Sequence, residues 1–310
     1  MTVKQAGFNL VELIISMVIG LVLMMSITTM FVDTKVSANR SSTVSSLQQQ
    51  AQLALQVLVE DVRSIGSWAE FSGEGLTGVP SAVATAIADG GCNMLPASVA
   101  SSTSGITAGA NVSTAGCLAT GFTITDDSDV LFIARVRGTI IASGAVSSNG
   151  NYVAISSYQA TSFKGSTLPN IENALIYPYI HHTYFTQNHA SEGSRLSRFS
   201  FIDNAFVNDF VVNNIERIRI NFGVDSNGDG RANSYIESSG ITRLMWNSNQ
   251  IVAARIYVLA RAKNKDLTLN NNDAFNDRFT PFDPPNDDNY RRFLLSTTVV
   301  IINNMMAVTQ

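Results

Sequence analysis

Charge is scarce in this 310-residue chain, with 14% Asp, Glu, Lys and Arg against 45% apolar residues. That balance excludes a solvated, disordered tail and leaves apolar side chains enough for one large or two small domains. A net charge of −4 and a pI near 5.4 argue against a general affinity for nucleic acid or anionic lipid surfaces. Histidine is nearly as sparse: His181, His182 and His189 are close in sequence. Neighbours on a strand point to opposite faces, so His181 and His182 do not readily hold one zinc ion. The chain contains no phosphate-binding Gly loop, no His-Glu-x-x-His and no Gly-x-Ser-x-Gly. With those motifs missing, we do not expect an enzyme.

What the sequence does have is a long apolar run from Phe8 to Val32, interrupted by a single charge, Glu12. As a helix, about 25 residues reach about 37 Å, and a hydrocarbon core is about 30 Å thick. We therefore expect a membrane span. A carboxylate inside such a span is unfavourable by about 2.5 to 3.5 kcal/mol at mid-bilayer and less near an end, so it calls for a partner. Nothing else in the run can pair with Glu12, which points to another chain. Two alternatives compete. A secretory signal has an apolar region of only roughly 7 to 15 residues, although Val36-Ser37-Ala38 offers a cleavage site. A plain signal anchor accounts for the length but not for Glu12, and Lys4, Lys35 and Arg40 on the two flanks give it no clear orientation.

Gly7-Phe8-Asn9-Leu10-Val11-Glu12-Leu13 resembles the processing motif of type IV prepilins. The resemblance implies cleavage after Gly7 by a membrane prepilin peptidase, N-methylation of Phe8, and pairing of Glu12 with the N-terminal amine of a neighbouring subunit. At about 4 Å and an effective dielectric near 20, that attraction is on the order of 4 kcal/mol before desolvation.

Beyond the span the helical period continues through Val36, Arg40, Val44, Leu47, Ala51, Ala54, Leu58, Val62 and Ile65, with no Gly or Pro from residue 21 to 65. We read a leader at 1–7 and one helix over 8–66, membrane-spanning at 8–32 and closed by Gly66. The ending of this helix, with Asp61, Arg63 and Gly66, is similar to that of PilW-type minor pilins. Residues 67–121, rich in Gly, Ser, Ala and Thr, read as a connection with little structure of its own. In a chain whose bulk lies beyond the membrane, Cys92 and Cys117 are expected to pair, the alternative being two buried free thiols. The bridge would close about 25 residues, worth roughly 3.5 kcal/mol in the chain-entropy model.

From residue 122 to 310 the pattern is β-rich. Strands are expected at 122–125, 130–137, 152–157, 175–185, 196–202, 215–224, 251–262 and 293–302, without intervening helices. An α+β fold follows, a long N-terminal helix packed on an antiparallel sheet, and the resemblance implies that it is type IV pilin-like. Ile215 to Asp225, Trp246 with Ile251 to Arg261, and Arg291-Arg292-Phe293 with Thr297-Thr298-Val299 again resemble PilW, whereas Asn303-Asn304 departs from its usual ending.

Asp225, Asn227 and Asp229 followed by Gly230 match the first half of a calcium loop, but position twelve is Ile236, which rejects an EF-hand. An Asp/Asn/Gly turn is the main reading, and a calcium loop completed by a remote carboxylate is the alternative. The stretch 264–289, with Asp266, Asp273, Asp277, Asp283, Asp287 and Asp288, reads as a solvated loop.

The resemblance implies a minor pilin acting with other minor pilins, a tip adhesin, the major pilin and the inner-membrane assembly platform. It would sit in the inner membrane with its C-terminal domain in the periplasm. A GspJ-like minor pseudopilin of type II secretion and a membrane-anchored calcium-binding or adhesive receptor are the rivals.

Overall fold

A computed structural model describes residues 9–65, 122–125, 128–165, 167–202, 205–242, 250–267 and 288–301, the backbone at 106–109, and a few single positions between these segments. One helix, α1 (Leu10–Arg63), is followed by twelve described strands. The helix starts where the Asn9 carbonyl accepts the N–H groups of Glu12 and Leu13 at 3.0 and 3.2 Å, which places Glu12 in the first turn. A carboxylate there is favoured by the unpaired N–H groups of the helix end. The other end tightens into three-residue bonds, Ser64 N–H to Asp61 and Ile65 N–H to Val62.

The chain divides into two units, Met1–Ser46 and Leu47–Gln310. In the first, the most apolar window of α1 has a mean hydropathy of 2.6 and none of it is buried. By length and composition this segment can cross a membrane. Its hydroxyls turn inward to the helix backbone. Ser16 donates to the Glu12 carbonyl at 2.7 Å, Ser26 to Val22 at 3.0 Å, Thr28 to Met24 at 2.8 Å, Thr29 to Ser26 at 2.9 Å and Thr34 to Met30 at 2.7 Å.

The second unit holds the last turns of α1 and two antiparallel sheets. In the larger sheet β6 (Leu175–His189) is the organising strand. It pairs with β3 (Val130–Val136), β4 (Asn151–Ile155), β7 (Gly193–Ile202) and β2 (Phe122–Ile124). Outside these lie β1 (Ile106–Gly109) on β3, β5 (Ala160–Lys164) on β4 and β8 (Ala205–Asn213) on β7. The smaller sheet runs β10 (Ser234–Glu237), β9 (Ile215–Val224), β11 (Ile251–Lys265), β12 (Tyr290–Val300).

The main core lies between α1 and one face of each sheet. Leu47, Ala51, Ala54, Leu55, Leu58, Val62 and Ile65 of the helix meet Leu131, Ile133, Tyr184 and Leu196 of the larger sheet. From the smaller sheet come Ile218, Ile220, Phe222, Ile256 and Val258. The helix stripe is thus the one its period predicts, from Leu47 onward. Burial of a Leu, Val or Ile side chain is worth about 1.5 to 3 kcal/mol, so apolar contact alone holds this half of the helix firmly. A satellite cluster of Tyr152, Ala154, Phe163 and Ile176 sits under the β4–β5 hairpin.

Three expectations need correction. The connection over 67–121 contains β1, which pairs with β3 from Ile106 opposite Ile133 to Gly109 opposite Val130. A short run of one apolar and three small residues carries no periodic signal, and the partner strand supplies the order. Strands β5, β8 and β10 were also not anticipated, and β6 extends to His189. Asp266 and Asp288 do not face open solvent: Asp266 pairs with Arg291 at 2.7 Å and Asp288 with Arg292. They lie where β11 leaves and β12 enters the sheet, and cationic side chains on β12 draw them in.

Candidate functional site

At the end of α1 a single carboxylate gathers donors from two strands. Arg135 on β3 donates to Asp61 Oδ1 at 3.1 Å, while His182 Nδ1 and the Tyr184 hydroxyl on β6 each lie 2.5 Å from Oδ2. Register explains the convergence. Ile133 is opposite His182 and Leu131 opposite Tyr184, so Arg135, two residues further on, shares their face. Asp61 is 6% exposed. Burial alone would push its carboxyl pKa up, but the His182, Tyr184 and Arg135 contacts outweigh that and hold it well below the usual carboxylate range. Tyr184 is bonded in turn to Arg198 of β7, which pairs with Asp209 of β8 at 3.3 Å.

His181 points the other way, as the strand period requires. Its ring meets Phe132 edge-on at 4.4 Å, and Nε2 is 3.1 Å from the Thr183 hydroxyl. His189 is on a third site, accepting N–H bonds from Ser191 and Glu192. The three histidines are therefore apart, and among the described residues no group of three His, Cys, Asp or Glu is placed to hold a metal ion.

Two further buried carboxylates join strands. Asp129, just before β3, accepts the Ile220 N–H at 2.8 Å and pairs with Arg219 at 3.3 Å, while the neighbouring Ser128 hydroxyl accepts the Ile218 N–H at 3.0 Å. Side chains thus continue along the edge of β9 where β10 stops. Burial pushes the Asp129 carboxyl up, and Arg219, the Ile220 N–H and Ser238 pull it back. Glu216 on β9 takes Arg292 through both oxygens at 2.6 and 3.1 Å and Arg261 at 3.0 Å, and Arg261 also reaches Ser194 of β7 at 2.9 Å. The two sheets are tied through that arginine.

Asp225, Asn227 and Asp229 are together in the β9–β10 turn. Asp225 Oδ1 accepts the N–H groups of Asn227 and Gly228 at 3.1 and 2.7 Å, and Oδ2 that of Gly230 at 2.7 Å. Gly228 and Gly230 have φ of 79° and 78°, in the region that favours glycine. Asp229 Oδ1 accepts the Arg231 N–H at 2.8 Å. Desolvation raises the Asp225 carboxyl, but the backbone N–H groups outweigh it and lower its pKa.

Glu12 is exposed on the first turn of α1 and has no side-chain partner among the described residues. Gly7, Phe8, Cys92, Cys117, Gly66, Trp246 and Asn303-Asn304 lie outside the described residues. Sequence reasoning singled out Asp61 in a helix-ending motif and His182 in a histidine cluster, but not their contact. The 121 residues between them leave no local signal.

Comparison with known proteins places these elements. A comparison with curated proteins found no match. A solved type IV-like pilin from Thermus thermophilus is similar at 11% identity and a TM-score of 0.33, over 83% of this chain and 96% of its own, a likeness too weak to bear on the assignment. The family model PilW, described as type IV pilus-assembly protein W, matches residues 183–303, a stretch that begins within β6 and takes in β7 to β12. That match stands beside a long apolar N-terminal helix and an antiparallel β domain, and over those residues the chain is similar to the PilW family.

Proposed function

We propose that this chain is a minor pilin of the PilW type, cleaved after Gly7, methylated on Phe8 and anchored in the inner membrane by the first half of α1. There it joins other minor pilins in starting pilus assembly and in the tip complex. The observation that carries this reading is the apolar half-helix with none of its most apolar window buried and one unpartnered carboxylate, Glu12, in its first turn. Apolar surface of that extent needs lipid or protein around it, and a lone carboxylate within it needs a cation. The methylated amine of a neighbouring subunit's Phe8 meets that need. A tip adhesin, the major pilin and the assembly platform are the remaining partners of this reading. The match over residues 183–303 favours it over a secretion pseudopilin.

The test compares wild type, Glu12→Ala and Glu12→Gln in their native membrane. Mass spectrometry should find methylated Phe8 as the mature N-terminus in all three, and both variants should lose crosslinks to other minor pilins. A mature N-terminus at Asn39 would overturn processing. Full crosslinking and piliation in both variants would overturn the role of Glu12.

A further inference from the structure

We propose that Asp61 is the positioning residue that sets the axial and rotational register of α1 on the β domain. It thereby decides which helix face is left for neighbouring subunits; this last consequence rests on the minor-pilin reading. The apolar stripe sets the register only through packing, with no directional contact. Its buried residues fall in two rows of four-residue spacing, Leu47-Ala51-Leu55 and Ala54-Leu58-Val62. If the helix slides by one turn, each row largely maps onto itself, apolar residue onto apolar residue. Exchanging Leu and Ala in this way costs packing but leaves no polar group without a partner.

Asp61 has no such equivalent. Four residues away on either side stand Val57 and Ile65. A slide of one turn would set one of these against the partly buried Arg135 and His182 and the buried Tyr184, leaving their donors without the carboxylate. Charged and titratable groups reach this point from every strand that contributes to the cluster: Arg135 from β3, His182 and Tyr184 from β6, and Arg198 from β7 through Tyr184. With Asp61 in place, Gln52, Leu53, Gln56, Glu60 and Arg63 face outward, and Leu53 is 49% exposed among them. A different register would present other side chains.

The experiment places a photo-crosslinking amino acid at Val57, which is partly buried and packed against the core, in the full-length chain in its native membrane. Intrachain products are mapped by mass spectrometry. Wild type should crosslink to one short segment. A variant carrying Asp61→Leu, Arg135→Met, His182→Leu and Tyr184→Phe keeps the apolar attachment and removes the key. It should accumulate normally yet give two or more product segments, displaced by about one helical turn, roughly 5.4 Å. Asp61→Arg alone should scatter the products, and adding Arg135→Asp should restore the single segment. One unchanged segment in the fourfold variant or in Asp61→Arg overturns the proposal. Should the fourfold variant not accumulate, failure of Arg135→Asp to restore the wild-type product, or to accumulate, overturns it as well. The readout is within one chain and independent of pili. A single register in a protein never cleaved after Gly7 would sink the pilin reading and leave this one standing.

Discussion

At the scale of single residues, two buried groups respond to acid in different windows. His181 is 2% exposed, and burial, with His182 nearby, pushes its pKa down to about 3. The unfolded chain takes up that proton near the ordinary histidine value of about 6.5, so the contribution of His181 is complete above that pH. It is lost as the pH falls toward 3, at up to about 1.4 kcal/mol per pH unit. His181→Leu should flatten the dependence of stability on pH between 6.5 and 4, read from urea midpoints of the full chain in detergent. An unchanged slope would clear His181 of this role. Asp61 acts lower. Its carboxyl is held below the usual range, so its share is present above an unfolded pKa of about 3.9 and disappears as the pH drops further. Asp61→Ala leaves the partly buried Arg135 and His182 and the buried Tyr184 hydroxyl without their carboxylate and should cost roughly 1 to 3 kcal/mol at neutral pH, the range for buried groups left unsatisfied. A loss under about 1 kcal/mol would mean that water replaces the carboxylate.

At the scale of elements, β9 is the most demanding strand, buried along its whole length on both faces. A Cβ built on its Gly223 would lie 2.8 Å from that of Ala232 and 3.0 Å from that of Ala253, so Gly223→Val should force the strands apart at a cost of about 1 to 3 kcal/mol. Thermal melting checks this, and Gly223→Ala should show a smaller loss. The turn that follows is closed by its own N–H groups. Asp225→Ala should therefore lower the melting temperature equally with calcium and with chelator, and a loss confined to calcium would favour the ion-binding alternative. Much of this was legible in the sequence where a period was strong. The helix stripe from Leu47 and the strands at 215–224 and 251–262 announce themselves by spacing and β-branched residues, and β11 continues past the expected end to Lys265. Ala160–Lys164 and Ser234–Glu237 do not, because they are short and largely polar and owe their extended form to a neighbouring strand. Arg217 and Arg219 on β9 are both buried. Asp129, ninety residues earlier, pairs with Arg219 there.

For the whole molecule, the division at residues 46 and 47 implies that the second unit keeps its core without the apolar half-helix. A chain lacking residues 1–32 should be soluble without detergent, elute as a monomer and melt cooperatively, whereas aggregation or loss of the melting transition would contradict that independence. The Glu216, Arg261 and Arg292 cluster should make both sheets melt together, and Glu216→Gln should weaken that coupling by roughly 1.5 to 3 kcal/mol, the range for hydrogen bonds to charged groups. The half-helix carries its own consequence. All five of its hydroxyls, from Ser16 to Thr34, are spent on carbonyls of the same helix. They therefore ask nothing of whatever surrounds them. Passage from lipid into a sheath of other helices, or back again, breaks no hydrogen bond along this stretch. Glu12 is the one charged side chain over residues 10–32, so in the proposed minor pilin an exchange between bilayer and filament would turn on that carboxylate.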